Sequence, residues 1–152
     1  MAPMDRSKKW RDRTTLTHSG NRPHENHGVV NPPVYHASTI LYPTLADLRM
    51  KEQNPFEHVT YGRTGTPTTF AFEEAVAALE EADRAIALPS GLAAITGSLF
   101  SFLKAGDHVL MTDTAYAPTR KLCDHQLAKL NIETTYYDPL IGAGIADLIQ
   151  PN

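Results

Sequence analysis

The stretch Arg84–Ala94 constrains the fold more than any other part of this 152-residue chain. Ala85–Leu88 is a short apolar run of the kind found in buried parallel strands, and Pro89-Ser90-Gly91 ends it. From Leu92 onward, apolar residues recur at helical spacing as far as Phe102. The stretch therefore predicts a strand, a tight turn and a helix.

The turn between this strand and this helix is a candidate anion site. Such a turn directs free backbone N–H groups and the positive end of the helix dipole toward one point. Gly91 carries no side chain, so an anion can approach the backbone closely there. The signal is weak by itself, because most strand-to-helix turns bind nothing, and it gains weight from the rest of the chain.

Strand and helix patterns alternate after this turn. The predicted elements are strands at His108–Thr112 and Ile132–Tyr137, a helix started by Pro118, and the start of a further helix at Ala143–Ile149. Alternation of this kind predicts an α/β fold, with a parallel-rich sheet and flanking helices. Ligands of such sheets bind beyond the carboxyl ends of the strands. We therefore expect the Ser90-Gly91-Leu92 turn and the Asp113–Tyr116 loop to lie at the same edge.

An anion-binding turn and the ring of Tyr116 at one crevice indicate a cofactor that joins a phosphate to a flat ring. A nucleotide also fits this description, so a nucleotide-binding α/β module is an alternative. No predicted strand is followed by a Gly-x-Gly-x-x-Gly or Gly-x-x-x-x-Gly-Lys-[Ser/Thr] signature, which disfavours that alternative.

The N-terminal half carries two helix-start signals. Thr44 is an N-cap for a short helix through Met50, and Thr66-Pro67 is a cap and first-turn pair for an amphipathic helix. On that second helix we expect one apolar side and a set of outward glutamates. The apolar side consists of Phe70, Phe72, Val76, Ala77 and Leu79, and the glutamates are Glu73, Glu74, Glu80 and Glu81.

Residues 1–30 are expected to be loop-like, with a basic, solvated tail over the first 22 residues. His24 and His27 lie three residues apart, but no third ligand accompanies them, so we predict no metal site.

Composition excludes several classes of partner. The net charge of −3 gives no basis for binding nucleic acid or an anionic membrane. No apolar run approaches the roughly 18 residues of a membrane span, and no apolar segment of a secretory signal opens the chain. Cys123 is the only cysteine, so no intrachain disulfide can form. These features lead us to expect a cytoplasmic location.

Five short motifs follow one another along the chain. They are Asn31-Pro32-Pro33-Val34, Tyr61-Gly62-Arg63, Pro89-Ser90-Gly91-Leu92-Ala93-Ala94, Gly106-Asp107-His108-Val109 and Thr114-Ala115-Tyr116. As a set they resemble the Cys/Met-metabolism group of pyridoxal 5'-phosphate (PLP) enzymes, which have the aspartate-aminotransferase fold type. The resemblance extends from about Thr15 to the last residue. It implies that the chain is the N-terminal part of a PLP-dependent transferase fold type I subunit, and hence incomplete.

The resemblance also implies a partition and a set of roles. Residues 1–60 would be an extended segment that reaches a dimer partner, and residues 61–152 the first half of the PLP-binding large domain. The Ser90-Gly91-Leu92 turn would bind the cofactor phosphate, with N–H groups from Gly91 and Leu92. Tyr116 would stack on the pyridine ring and act in catalysis. Tyr61 and Arg63 would contact the phosphate in the neighbouring subunit of a dimer-based tetramer, a task that suits the guanidinium fork. Without the resemblance, these last two residues would be assigned to a surface loop.

Two further segments, Thr114–Pro118 and Tyr137–Gly142, are most similar to the bacterial cystathionine β-lyase subgroup. This resemblance implies PLP-dependent β-elimination of the amino acid cystathionine to homocysteine, pyruvate and ammonia, a step of methionine biosynthesis.

The lysine that such a reaction needs is not identified in this sequence. Ser101-Phe102-Leu103-Lys104 fits a Ser-x-x-Lys pattern, but Lys104 lies at the end of the predicted helix, just before Gly106-Asp107, where a lysine favours the negative end of the helix dipole, and it is assigned to the surface. The other lysines are Lys8, Lys9, Lys51, Lys121 and Lys129. The alternative is therefore an inactive truncated remnant, or a module that pairs with an intact subunit without catalysis of its own.

Overall fold

The computed structural model describes residues 11–151, and this part of the chain forms two compact units that divide after Ala87. The first unit is mostly helical. Its elements are α1 (Asp12–His18), a 3-10 turn (Pro23–Glu25), α2 (Leu45–Glu52) and α3 (Pro67–Leu79). The presence of α1 corrects the prediction of a loop over residues 1–30, of which residues 1–10 lie outside the described part.

The caps of α2 and α3 confirm the predicted helix starts. The Thr44 hydroxyl accepts a hydrogen bond from the Asp47 amide at 3.1 Å, and the Thr66 hydroxyl accepts one from the Thr69 amide at 3.4 Å. Pro67 occupies the first turn of α3, where a missing N–H has no cost. These starts are set locally, so the sequence alone specifies them.

The buried side of α3 differs from the predicted one. Phe70 and Ala77 are buried, but Phe72 is 60% exposed. Two residues along a helix correspond to a rotation of about 200°, so Phe70 and Phe72 cannot share a narrow face. Glu74 lies four residues after Phe70 and therefore on the buried stripe, where its carboxylate meets the Arg22 guanidinium at 2.6 Å.

Helix α1 packs against α3 next to this ion pair. Gly20 follows α1 with φ of 74°, and a Cβ placed there would lie 2.1 Å from the Ala71 carbonyl oxygen. Both its conformation and its close approach to the α3 backbone require glycine at this position.

The second unit contains the sheet. Its elements are α4 (Gly91–Phe102), β1 (His108–Thr112), α5 (Ala117–Lys121), a π-helical continuation of α5 (Leu122–Leu127), β2 (Glu133–Tyr137) and a 3-10 helix (Gly142–Leu148). Strands β1 and β2 pair in parallel, in a register running from His108 opposite Glu133 to Thr112 opposite Tyr137. This confirms the parallel α/β prediction for these two strands.

The core of this unit lies where the helical segment after β1 covers the sheet. Its buried members are Val109, Cys123, Leu127 and Ile132, with Leu99, Leu103 and Met111 packed against them. The strands and the helices that alternate along the sequence thus contribute their apolar residues to one shared core.

Two predicted elements differ in the structure. Ala85–Leu88 forms no strand: Ile86 is 62% exposed, and the Ala87 amide donates to the Glu73 carboxylate at 2.8 Å. A strand requires a hydrogen-bonded neighbour, and the described residues supply none for this segment. The last helix is a 3-10 helix rather than an α-helix, and it begins at Gly142 with φ of 58°. The partition at residue 60 concerns a complete enzyme and stays a prediction.

Candidate cofactor-binding site

Ser90 starts α4 by capping it. Its backbone is extended, and its Oγ accepts a hydrogen bond from the Ala93 amide at 3.1 Å. The Ser90 carbonyl accepts from the Ala94 amide at 3.0 Å. Across residues 11–151, the amides of Gly91 and Leu92 have no hydrogen-bond acceptor. Two N–H groups therefore remain for a ligand at the positive end of a 12-residue helix.

The space around this helix start is open. A Cβ placed on Gly91 would meet no protein atom within 4 Å, and the Leu92 side chain is 40% exposed. No protein atom therefore occupies the space beside the Gly91 Cα, where a phosphate would come close to the backbone. The donor set fits a phosphate, because it combines two N–H groups, a hydroxyl and a helix dipole.

Tyr116 lies at the start of α5, on the loop that follows β1. Its side chain is 66% exposed. Its carbonyl oxygen accepts hydrogen bonds from the amides of Thr119 and Arg120 at 2.8 and 3.1 Å. The backbone of Tyr116 is therefore fixed to the first turn of α5, while its ring is accessible to a ligand.

Tyr61 and Arg63 belong to the first unit, where hydrogen bonds connect the loop that carries them to Ser38. The Tyr61 hydroxyl accepts a hydrogen bond from the Ser38 hydroxyl at 3.2 Å, and the Gly62 amide donates to the Ser38 carbonyl at 2.7 Å. A Cβ on Gly62 would lie 1.8 Å from the Ala37 carbonyl oxygen, so only glycine fits there. The Arg63 guanidinium lies 5.8 Å from the Tyr61 ring centroid.

The structure divides the predicted site residues between the two units. Ser90, Gly91 and Leu92 form one helix start, and Tyr116 begins a helix, α5, that contacts α4 in the same unit. Tyr61 and Arg63 lie in the other unit, and their approach to a cofactor stays a prediction.

One cluster beside this site was not predicted. The Arg120 guanidinium lies 3.9 Å from the centroid of the Tyr136 ring, and the Tyr136 hydroxyl donates to the Asp124 carboxylate at 2.7 Å. Burial, followed by this hydrogen bond, raises the pKa of Tyr136 to about 12. The spacing of Arg120 and Asp124 by four residues would place them on one face of a regular helix, but nothing in the sequence indicates Tyr136 as their partner.

Other candidate groups stay outside the site. The side chain of Lys104 is 86% exposed and lies 4.0 Å from Asp107, as expected for a surface residue. No group of three metal-ligating side chains occurs within residues 11–151. In the same range, no helix is long and apolar enough to cross a membrane.

A shallow depression of about 460 Å³ lies between the π-helical segment and β2. Its lining includes Cys123, Asp124, Glu133 and Thr135, and none of the predicted cofactor residues. Burial raises the pKa of the Cys123 thiol, which therefore stays protonated at neutral pH.

Parallel strands joined through a helix place this unit in the class of open α/β proteins, and a capped helix start with two free amides is typical of those members that bind phosphorylated ligands. The comparisons with known proteins specify the family. The chain belongs to the Cys/Met metabolism PLP-dependent enzymes, whose family model matches residues 13–152. The cofactor of this family is pyridoxal 5'-phosphate, and the chain carries an incomplete α/β fold of such an enzyme.

Individual relatives support this assignment. The chain is 49% identical to a putative cystathionine beta-lyase of Rhizobium johnstonii over 91% of its own length and 34% of the relative. It is 43% identical to cystathionine beta-lyase of Haemophilus influenzae, again over 91% of this chain, and 35% of that relative. The crystal structure of metB from Corynebacterium glutamicum superimposes with a TM-score of 0.84 at 30% identity, covering 95% of this chain and 36% of the other. The chain thus spans about a third of the length of these proteins.

Proposed function

We propose that this chain supplies the phosphate-binding turn and the ring-stacking tyrosine of a cystathionine β-lyase. The reaction is the β-elimination of cystathionine to homocysteine, pyruvate and ammonia in methionine biosynthesis. The observation that carries the proposal is the start of α4, where Ser90 caps the helix and the Gly91 and Leu92 amides are left for a ligand. Identities of 43–49% to proteins named as cystathionine β-lyases support the choice of reaction.

The residues of the turn have separate tasks in this proposal. The Gly91 and Leu92 amides donate to phosphate oxygens, and the helix dipole stabilises the negative charge. Ser90 Oγ already accepts from Ala93, so its hydroxyl proton is left to donate to the phosphate. Together these groups anchor the cofactor at its phosphate and fix the position of its ring.

Tyr116 acts at the other end of the cofactor. Its exposed ring offers a flat face for the pyridine, and its hydroxyl holds or accepts a proton near the substrate amino group. The cofactor itself supplies the electron sink that makes loss of the Cα proton possible.

Tyr61 and Arg63 are proposed to bind the cofactor phosphate of a neighbouring subunit in a dimer-based tetramer. The Tyr61 hydroxyl accepts from Ser38, so its own proton is left to donate to an anion. Arg63 adds a bidentate cation for phosphate oxygens. We further propose a cytoplasmic location, supported by the single cysteine of the chain.

We propose that the lysine that would bind the cofactor covalently is not among the residues of this chain. Lys51, Lys104, Lys121 and Lys129 lie in the described part, and none belongs to the α4 turn or the Tyr116 loop. Lys8 and Lys9 lie outside it. The alternative function, an inactive remnant or a subunit-pairing module, follows from the same observation.

The experiment starts from the protein purified from its native source. Its intact mass is measured, borohydride is added in the presence of PLP, and pyruvate release from cystathionine is assayed. A lyase gives cofactor fixed to one lysine and releases pyruvate. If no cofactor is fixed to a lysine and no pyruvate is released, the chain is an inactive remnant or a subunit-pairing module. Alanine racemisation is measured in parallel, because an L-alanine/L-glutamate racemase of Wolbachia is 36% identical to the chain over 93% of its length.

A further inference from the structure

Arg120 holds both ends of the loop that carries Tyr116. Its Nη1 donates to the carbonyl oxygen of Asp113, the first residue after β1, at 2.6 Å. Its backbone amide donates to the carbonyl oxygen of Tyr116 at 3.1 Å. One residue of α5 therefore connects the beginning and the end of the Asp113–Tyr116 loop.

The guanidinium is held in turn by strand β2. Its central carbon lies 3.9 Å from the Tyr136 ring centroid, which is within the range of an attractive cation–π contact. The Tyr136 hydroxyl donates its one proton to Asp124 at 2.7 Å, and the same oxygen lies 3.3 Å from the Arg120 carbonyl, so the ring itself is held in place. A flat guanidinium stacks on a ring and donates a hydrogen bond in its own plane, an arrangement that the compact and strongly hydrated ammonium of lysine reproduces poorly.

We propose that Arg120 is a positioning residue for Tyr116. It clamps the Asp113–Tyr116 loop between β2 and the first turn of α5, and thereby keeps the exposed Tyr116 ring at a fixed place. The inference rests on the proposed function in assigning Tyr116 to the cofactor ring. The clamp itself rests only on the contacts of Arg120.

Hydrogen exchange measured by NMR on the 152-residue chain tests the clamp without any cofactor. The reporters are the Asp113 amide, which donates to Tyr137 at 2.9 Å, and the Ala115 amide, which donates to Thr112 at 3.1 Å. In Arg120→Ala we expect both to exchange about tenfold faster, because a charged hydrogen bond no longer opposes local opening. The β1 amide of Val109, which the alternation of the ladder directs at β2 like that of Asp113, should exchange at the wild-type rate.

Three variants separate the clamp from a general effect on folding. Arg120→Lys keeps the charge but should not restore slow exchange of the reporters. Tyr136→Leu leaves Arg120 in place but removes the aromatic ring on which its guanidinium stacks, and should speed the exchange of both reporters as Arg120→Ala does. Lys129→Ala, an exposed change on the same helical segment, should alter neither reporter. If Arg120→Ala does not fold, the exchange rates of Arg120→Lys and Tyr136→Leu decide whether the clamp exists. Reporter rates like those of the wild type in the folded Arg120 or Tyr136 variants overturn the proposal.

A calorimetric titration with PLP keeps the two proposals apart. If the wild-type chain binds PLP, Arg120→Ala should weaken binding as much as Tyr116→Ala does. Weakening by Tyr116→Ala alone would overturn the positioning role. If the wild-type chain does not bind PLP, the proposed function fails for this chain, and the exchange rates alone decide whether Arg120 clamps the loop.

Discussion

The ion pair between Arg22 and Glu74 is expected to stabilise the first unit much more than the pair that the same arginine forms with Glu25. Glu74 lies 2.6 Å from the guanidinium, and its side chain is 18% exposed. Glu25 lies 3.7 Å away and is 68% exposed. One cation thus has a close, half-buried partner and a distant, solvated one, so each carboxylate is the matched control for the other.

The magnitude follows from the two environments. Two unit charges about 4 Å apart attract by roughly 4 kcal/mol at an effective dielectric constant of about 20, and removing both groups from water offsets a large part of this. A hydrogen bond between charged groups retains about 1.5–3 kcal/mol. We therefore expect Glu74→Gln to lower the free energy of unfolding by about 1.5 kcal/mol, and Glu25→Gln by less than about 0.5 kcal/mol.

Urea unfolding followed by far-UV circular dichroism measures both variants. Arg22→Gln, alone and combined with Glu74→Gln, completes a double-mutant cycle. The Glu25 effect should vanish at high salt, while most of the Glu74 effect should persist. Equal losses for the two glutamates, or a coupling energy near zero for Arg22 and Glu74, would refute the assignment of a stabilising role to the buried pair.

Replacing Ser90 by alanine should destabilise the second unit by about 1 kcal/mol, and Ser90→Asp should restore most of it, because aspartate also caps helices. Urea unfolding of both variants checks this, and an unaltered Ser90→Ala protein would argue against the cap. Gly62→Ala forces a methyl group against the Ala37 carbonyl and should cost about 1–3 kcal/mol in the first unit, as an overpacked site does. A thermal midpoint equal to that of the wild type would show that the loop yields freely. Tyr136 ionises near pH 12 when folded, against about 10 when unfolded, so the folded state binds more protons between these values and its stability falls as pH rises through them. Asp124→Asn should lower the folded pKa of Tyr136, as read from phenolate absorbance, and an unchanged midpoint would exclude the carboxylate as a cause.

The features that were predictable from the sequence are the local ones. The predicted caps at Thr44 and Thr66 depend on bonds to amides only three residues ahead, and the cap at Ser90, which was not predicted, is equally local. The pairing of β1 with β2 also followed from the pattern, because a helix between two predicted strands favours a parallel crossover.

The features that were missed depend on partners distant in sequence. The inward direction of Glu74 is set by Arg22, which lies 52 residues earlier. Ala85–Leu88 has the composition of a strand, but pairing needs a neighbour that the described residues do not supply. The contact of Arg120 with Tyr136 joins a helix to a strand, and no pattern within either segment specifies it.

The π-helical segment Leu122–Leu127 has a consequence for how this region is compared with its relatives. Its last turn is closed by a bond from the Ala128 amide to the Cys123 carbonyl, five residues back, so the helix carries one residue more than a regular turn would. One residue corresponds to about 100° of rotation, and the faces before and after the segment are offset by that amount. An alignment that assumes an unbroken period of 3.6 from Tyr116 to the buried Leu127 will therefore assign the residues of one end to the wrong face.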